Sequence, residues 1–407
     1  MLRKPFIEFI MEAASIQRWN DHIRPSHGFQ ELDKQSHKML YAYTLAKGCG
    51  SADRLKLIEG SIFEFLHRLI LTDLKPPIFH RLMKEKGGSI NRFVLASLES
   101  NIRSIPMGFY GKFEKYLTDP NYAAPEKKIL EAAHYLATKW EFDIIYAMCP
   151  AFYGIEGTKK EIYDKITDLK SLRFFADYIN NKDLVSFTDL VGGLRLQQRW
   201  ARTPRMPQTS VMGHMYVTAA LSYFTSLEVN ACENRLINNF LGGLFHDLPE
   251  VLTRDIVSPV KSSVEGLDEL IKDIENTQME NVIYHLIPPD WQTELDYFTQ
   301  DEFLSKIKRN APAEAAIGSQ QTPQQTAEVH TSDEINDKYN SDEFSPIDGE
   351  IIRGCDHLSA FLETYLSVTC GIKSESLLFG NRSLYTKYKN RIIGGIDFGI
   401  LFDYFKI

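Results

Sequence analysis

Gly243-Leu244-Phe245-His246-Asp247-Leu248-Pro249-Glu250-Val251-Leu252-Thr253-Arg254-Asp255 decides how this chain reads. An adjacent His246-Asp247 pair, then Glu250 and Asp255, gathers metal-ligating and acid–base side chains into one short stretch. The apolar run in front of it, Leu241-Gly242-Gly243-Leu244-Phe245, makes two polar groups costly to bury unless they are engaged. Pro249 has no N–H to donate and disfavours helix at Leu248. One helix is therefore expected to end at His246-Asp247 and the next to begin at Glu250, aimed back at the same place. Elsewhere the chain supplies His214 upstream and Asp356 downstream as plausible partners.

Outward from this stretch, apolar residues recur at helical spacing almost everywhere. Ile62, Phe63, Leu66, Leu69 and Ile70 form one such face, and His214, Val217, Ala220, Leu221 and Phe224 another. Convincing period-two strands are absent, so the expected fold is all-α. A chain of 407 residues exceeds one ordinary core and suggests two domains. Ala311–Glu350 reads differently, with Gln320, Gln321, Gln324 and Gln325 among Ala, Thr, Ser, Pro and acids. Too little apolar surface offsets its ordering entropy, so a solvated, disordered insertion is expected there.

The net charge of −8 originates in that segment, which holds nine acids and one base and leaves 45 of each elsewhere. A near-neutral body lacks the basic stripe that tracking a phosphate backbone requires, which argues against duplex nucleic acid and leaves a small phosphorylated molecule open. The five cysteines, Cys49, Cys149, Cys232, Cys355 and Cys370, are scattered and odd in number, as expected for reduced thiols in a cytoplasmic protein. Met1 to Ile16 reads as an amphipathic helix, not a signal peptide, and no apolar run is long enough to span a bilayer.

The chain also echoes itself. Ile16-Gln17-Arg18-Trp19 parallels Gln197-Gln198-Arg199-Trp200, and Thr72–Pro77 parallels Arg254–Pro259, both at nearly the same offset. His37 opens a helix-like run much as His214 does. A tandem duplication is expected, with domains at 1–183 and 184–407. In the first copy Glu64 and Phe65 stand where His246 and Asp247 stand in the second, Arg68 matches Glu250, and His134 matches Asp356. The N-terminal copy thus keeps the packing pattern without the ligand set, and the excess length of the second copy falls on Ala311–Glu350.

The string from His246 to Lys261 resembles the HD-domain phosphohydrolase superfamily, and more narrowly its bacterial 5′-deoxynucleotidase branch. The likeness rests on His246-Asp247, Glu250, Val251-Leu252-Thr253, Asp255, Pro259-Val260-Lys261 and Arg199-Trp200 ahead of His214. It implies two tandem HD-like all-α domains forming an internal pseudo-dimer, as a monomer with pseudo-dimeric halves or a homodimer. It also implies one divalent transition metal (Mn, Co, Ni, Fe or Zn) held by His214, His246, Asp247 and Asp356, a donor set that suits such ions better than calcium. Glu250 is implied as the general acid/base, with Asp247 also in the reacting centre, and Arg199, Trp200, Asp255 and Lys261 as substrate contacts. Trp19 persists in the first copy, so packing is an equal reading for Trp200, and a turn or cap role competes for Asp255. The branch commonly has Glu before the first His, where this chain has Gly213. The implied reaction is hydrolysis of a (deoxy)nucleoside 5′-monophosphate. A nucleotide sensor without turnover, a nucleoside triphosphate or alarmone hydrolase, and a di-iron oxygenase are the rivals.

Overall fold

A computed structural model describes residues 2–26, 28–72, 74, 76–254, 264–310 and 324–407. Among these, helix follows helix, and the only sheets are two antiparallel ribbons, Lys306–Asn310 with Gln324–Glu328 and Ile392–Ile393 with Ile396–Asp397. The all-α expectation holds.

Two buried helices lie at the centre, Glu31–Cys49 and Val211–Glu228, packed on each other. Glu31–Cys49 also packs on Arg54–Leu71 and Ala124–Met148; Val211–Glu228 packs on Glu233–Phe245 and Gly349–Thr369. A single apolar core runs through both groups. Ser210 starts Val211–Glu228 by accepting the Gly213 N–H at 3.0 Å. A Cβ on Gly243 would lie 2.8 Å from the Ala219 backbone, so only glycine lets the helix leading to His246 cross at backbone contact.

The insertion differs from expectation. Residues 311–323 lie outside the described residues, but 324–350 are ordered. Gln324–Glu328 pairs with Lys306–Asn310, Ile307, Val329 and Ile335 form a small core, and Asp348 caps Gly349–Thr369. Asp348 also meets Arg235 at 2.6 Å, both side chains fully buried. Average composition hid sparse apolar residues whose partners lie outside the segment. The expected boundary at 183/184 falls inside the Lys182–Gly192 helix, which packs against Glu31–Cys49.

The echoed segments take matching shapes. Trp19 and Trp200 both sit at φ 56°. The Arg18 N–H donates to the Phe29 carbonyl and the Arg199 N–H to that of Thr209. The Trp19 indole donates to Glu141 and the Trp200 indole to Glu363. His37, however, is one turn away from the His214 position. Lys34 Nζ meets His134 Nδ1 at 2.8 Å, as His214 meets Asp356, whereas His37 stacks on Tyr41 and contacts Trp140. A one-turn slip keeps the same helix face inward, so apolar periodicity alone cannot fix that register.

Candidate metal centre

Three helices bring the candidate ligands together. His214 lies in the first turn of Val211–Glu228, His246 ends Glu233–Phe245 with Asp247 in the turn beyond, and Asp356 lies in Gly349–Thr369. The break falls where Pro249 puts it, and Glu250 opens the short Glu250–Thr253 helix with its side chain buried.

One atom from each of His214, His246 and Asp247 lies within 4.8 Å of the others. Asp356 Oδ1 joins them, 2.8 Å from His214 Nε2 and 3.8 Å from His246 Nε2. Asp247 Oδ2 is 3.2 Å from His246 Nε2 and 4.0 Å from His214 Nε2. Ligands bound at about 2.0–2.2 Å to one ion stand about 3.0–3.5 Å apart, so these separations suit a shared cation. The ring orientations fit as well. His246 Nδ1 donates to the Gly243 carbonyl at 2.9 Å, and its buried Nε2 faces the carboxylates with no aligned hydrogen-bond partner. His214 Nδ1 contacts Ser359 Oγ at 3.0 Å, leaving Nε2 for the centre. Both rings are thus held by the far nitrogen, the arrangement that prepares imidazole for a metal.

Electrostatics agree. Burial would lower the pKa of His246, but Asp247 and Asp356 raise it to about 9. Burial would raise that of Asp247, but His246, Arg199 and His214 lower it to about 2. Asp356 is likewise held well below the ordinary carboxylate range against the effect of burial, chiefly by His214. The pocket therefore favours ionised carboxylates with positive charge among them, a role a divalent ion fills.

Arg199 Nη1 lies 3.4 Å from Asp247 Oδ2, so its guanidinium borders the centre. The Trp200 indole N–H is committed to Glu363 at 2.8 Å, and its ring lies so close to Gly380 that a Cβ there would be 2.9 Å away. Packing is the part these contacts give Trp200. Asp255 and Lys261 lie outside the described residues.

Glu363 was missed from the sequence. It is 2% exposed and accepts from Trp200 and from the Thr209 hydroxyl at 2.5 Å. It also faces Arg199 and Arg205 at 3.7 Å each and His214 Nδ1 at 3.9 Å. Burial raises its pKa, but Arg205, Arg199 and His214 bring the net shift down. The available signal was its place seven residues after Asp356, on the same helix face, repeated by Glu141 seven after His134.

Gly213 also has a structural reason. A Cβ there would lie 2.6 Å from Asp33 Oδ1, an atom that also accepts the Ser210 hydroxyl at 2.8 Å. The N-terminal half thus puts a carboxylate against the residue preceding His214.

Residues 191–382 match the family model of the HD domain. No curated protein and no solved structure matches the chain. The match supports the HD-domain superfamily for this segment, and with it divalent-metal binding and metal-dependent phosphohydrolysis in general. No helix among the described residues is long and apolar enough to cross a membrane.

Proposed function

We propose that this HD domain hydrolyses the phosphate monoester of a (deoxy)nucleoside 5′-monophosphate. The observation that carries the reading is the convergence of His214, His246, Asp247 and Asp356 from three helices, with both imidazoles oriented from behind. A divalent cation bound there supplies a Lewis acid for the phosphoryl group and lowers the pKa of a water. Arg199 holds the phosphate by forked hydrogen bonds, its Nε side backed by Glu363. Glu250 takes a proton from the attacking water and returns one to the leaving 5′-oxygen. The string Glu250-Val251-Leu252-Thr253 and the Arg199-Trp200 pair support the 5′-deoxynucleotidase branch.

We also infer that the N-terminal half is a degenerate copy serving as structural partner in an internal pseudo-dimer. The matching Arg-Trp turns, the Lys34–His134 contact and the packed central helices support this. His246→Ala and Asp247→Ala are expected to abolish divalent-metal-dependent phosphate release from nucleoside monophosphates, and to lower bound metal, while retaining the helical circular-dichroism spectrum. Full activity in either variant refutes the reading.

A further inference from the structure

Beside the metal centre lies a second, differently built pocket. Phe303, Glu350, Arg353, Lys387, Tyr388, Arg391 and Ile393 line a cavity of about 150 Å³. Three cations share it with one carboxylate, and Glu350 is already engaged: Oε2 accepts the Ser332 N–H at 2.8 Å, and Oε1 lies 3.6 Å from Arg391. Among the described residues, neither Arg353 nor Lys387 has a carboxylate within ion-pair distance. Burial lowers the Lys387 pKa, Arg353 and Arg391 lower it further, and the Asp356 carboxylate offsets them only in part. Like charges held together in this way create a field that an anion relieves.

Two of the pocket's aromatic residues, Phe303 and Tyr388, connect it to the centre. The Phe303 ring lies 6.0 Å from the His246 ring, and the Arg353 guanidinium lies 5.6 Å from the centroid of the same phenyl ring. The turn carrying Phe303 is pinned, because a Cβ on Gly349 would meet its backbone at 2.3 Å. His357 follows the candidate ligand Asp356 and reaches Tyr388 Oη, which also lines the pocket, at 2.7 Å. The Arg353 backbone and Lys387, which precedes Tyr388, are therefore carried by the same frame as the metal centre.

We propose that Arg353, Lys387 and Arg391 form a second anion site that takes a phosphoryl group beyond the one at the metal centre. A nucleotide bearing a second phosphate fills both; a free phosphate acting as effector supplies the same chemistry from a separate molecule. The first of these deepens the monophosphatase reading and rests on it.

The test uses the full-length, manganese-loaded protein with Lys387→Gln, Arg391→Gln and the double variant, all at exposed positions. Calorimetric titration with inorganic phosphate is expected to give a binding event that the double variant weakens at least about tenfold and that His246→Ala retains. Unchanged phosphate binding in the double variant overturns the proposal, whether or not the protein turns nucleotides over. Loss of nucleotide turnover as such, with this binding event intact, refutes only the monophosphatase reading. Phosphate release from adenosine 5′-monophosphate and adenosine 3′,5′-bisphosphate separates the two sources. A tenfold fall in the bisphosphate-to-monophosphate ratio of kcat/KM assigns the site to the substrate, and an equal change in both assigns it to a separate anion.

Discussion

Asp33→Asn tests how the N-terminal half supports the candidate site. Asp33 is buried, accepts the Ser210 hydroxyl at 2.8 Å, and crowds Gly213 beside His214. Burial raises its pKa from 3.8 to about 6, against the attraction of Arg195. The fold therefore prefers the neutral carboxyl. Its contribution is full below the unfolded value near 3.8 and is lost as pH rises through about 6. At about 1.36 kcal/mol per pKa unit, a shift of this size amounts to about 3 kcal/mol by pH 8. Asparagine stays neutral at every pH and keeps a carbonyl oxygen for Ser210. Urea unfolding of the full chain at pH 4 and pH 8 isolates the effect, because every other titrating group is common to both proteins. The two are expected to have similar stability at pH 4, with the variant ahead by about 3 kcal/mol at pH 8. Parallel pH dependences, or a variant weaker at pH 8, would refute the assignment of a buried, reluctantly charged carboxyl at this interface.

Two further substitutions probe groups that the sequence did not single out. Glu363→Gln leaves Arg199 and Arg205 facing a neutral amide in a dry site. It is expected to cost about 3 kcal/mol in chemical denaturation and to weaken metal affinity about tenfold or more in a metal titration; wild-type values in both would exclude Glu363 as the support for His214 and Arg199. Asp348→Ala removes both a helix cap and the partner of the fully buried Arg235, at an expected cost of about 3–5 kcal/mol. Pairing it with Arg235→Met should recover most of that loss in thermal melts followed by circular dichroism.

The helical class, the break at Pro249 and the string around His246 could be read from residue order because they are local. A period of 3.6 marks a face, a proline ends a ladder, and adjacent ligands need no folding to be seen together. The ordered stretch 324–350 could not be read in this way. Val329 and Ile335 gain their packing from Ile307, and Asp348 gains its ion pair from Arg235, 113 residues away. Glu363 stayed hidden for a related reason, since a glutamate on a helix reads as solvated until Trp200, Thr209 and Arg205 close over it. The His37 register failed because helices one turn out of step bury the same face.

The sequence by itself determined that this chain is helical and that its second half holds an adjacent His246-Asp247 pair just ahead of a proline break. Only the tertiary structure decided the rest. It brought His214 and Asp356 to hydrogen-bond distance across 142 positions, set Asp33 against Gly213, and gathered three cations behind Phe303. These are relations of distance and burial between segments remote in sequence. Their energies depend on desolvation and Coulomb terms that exist only once the helices have packed.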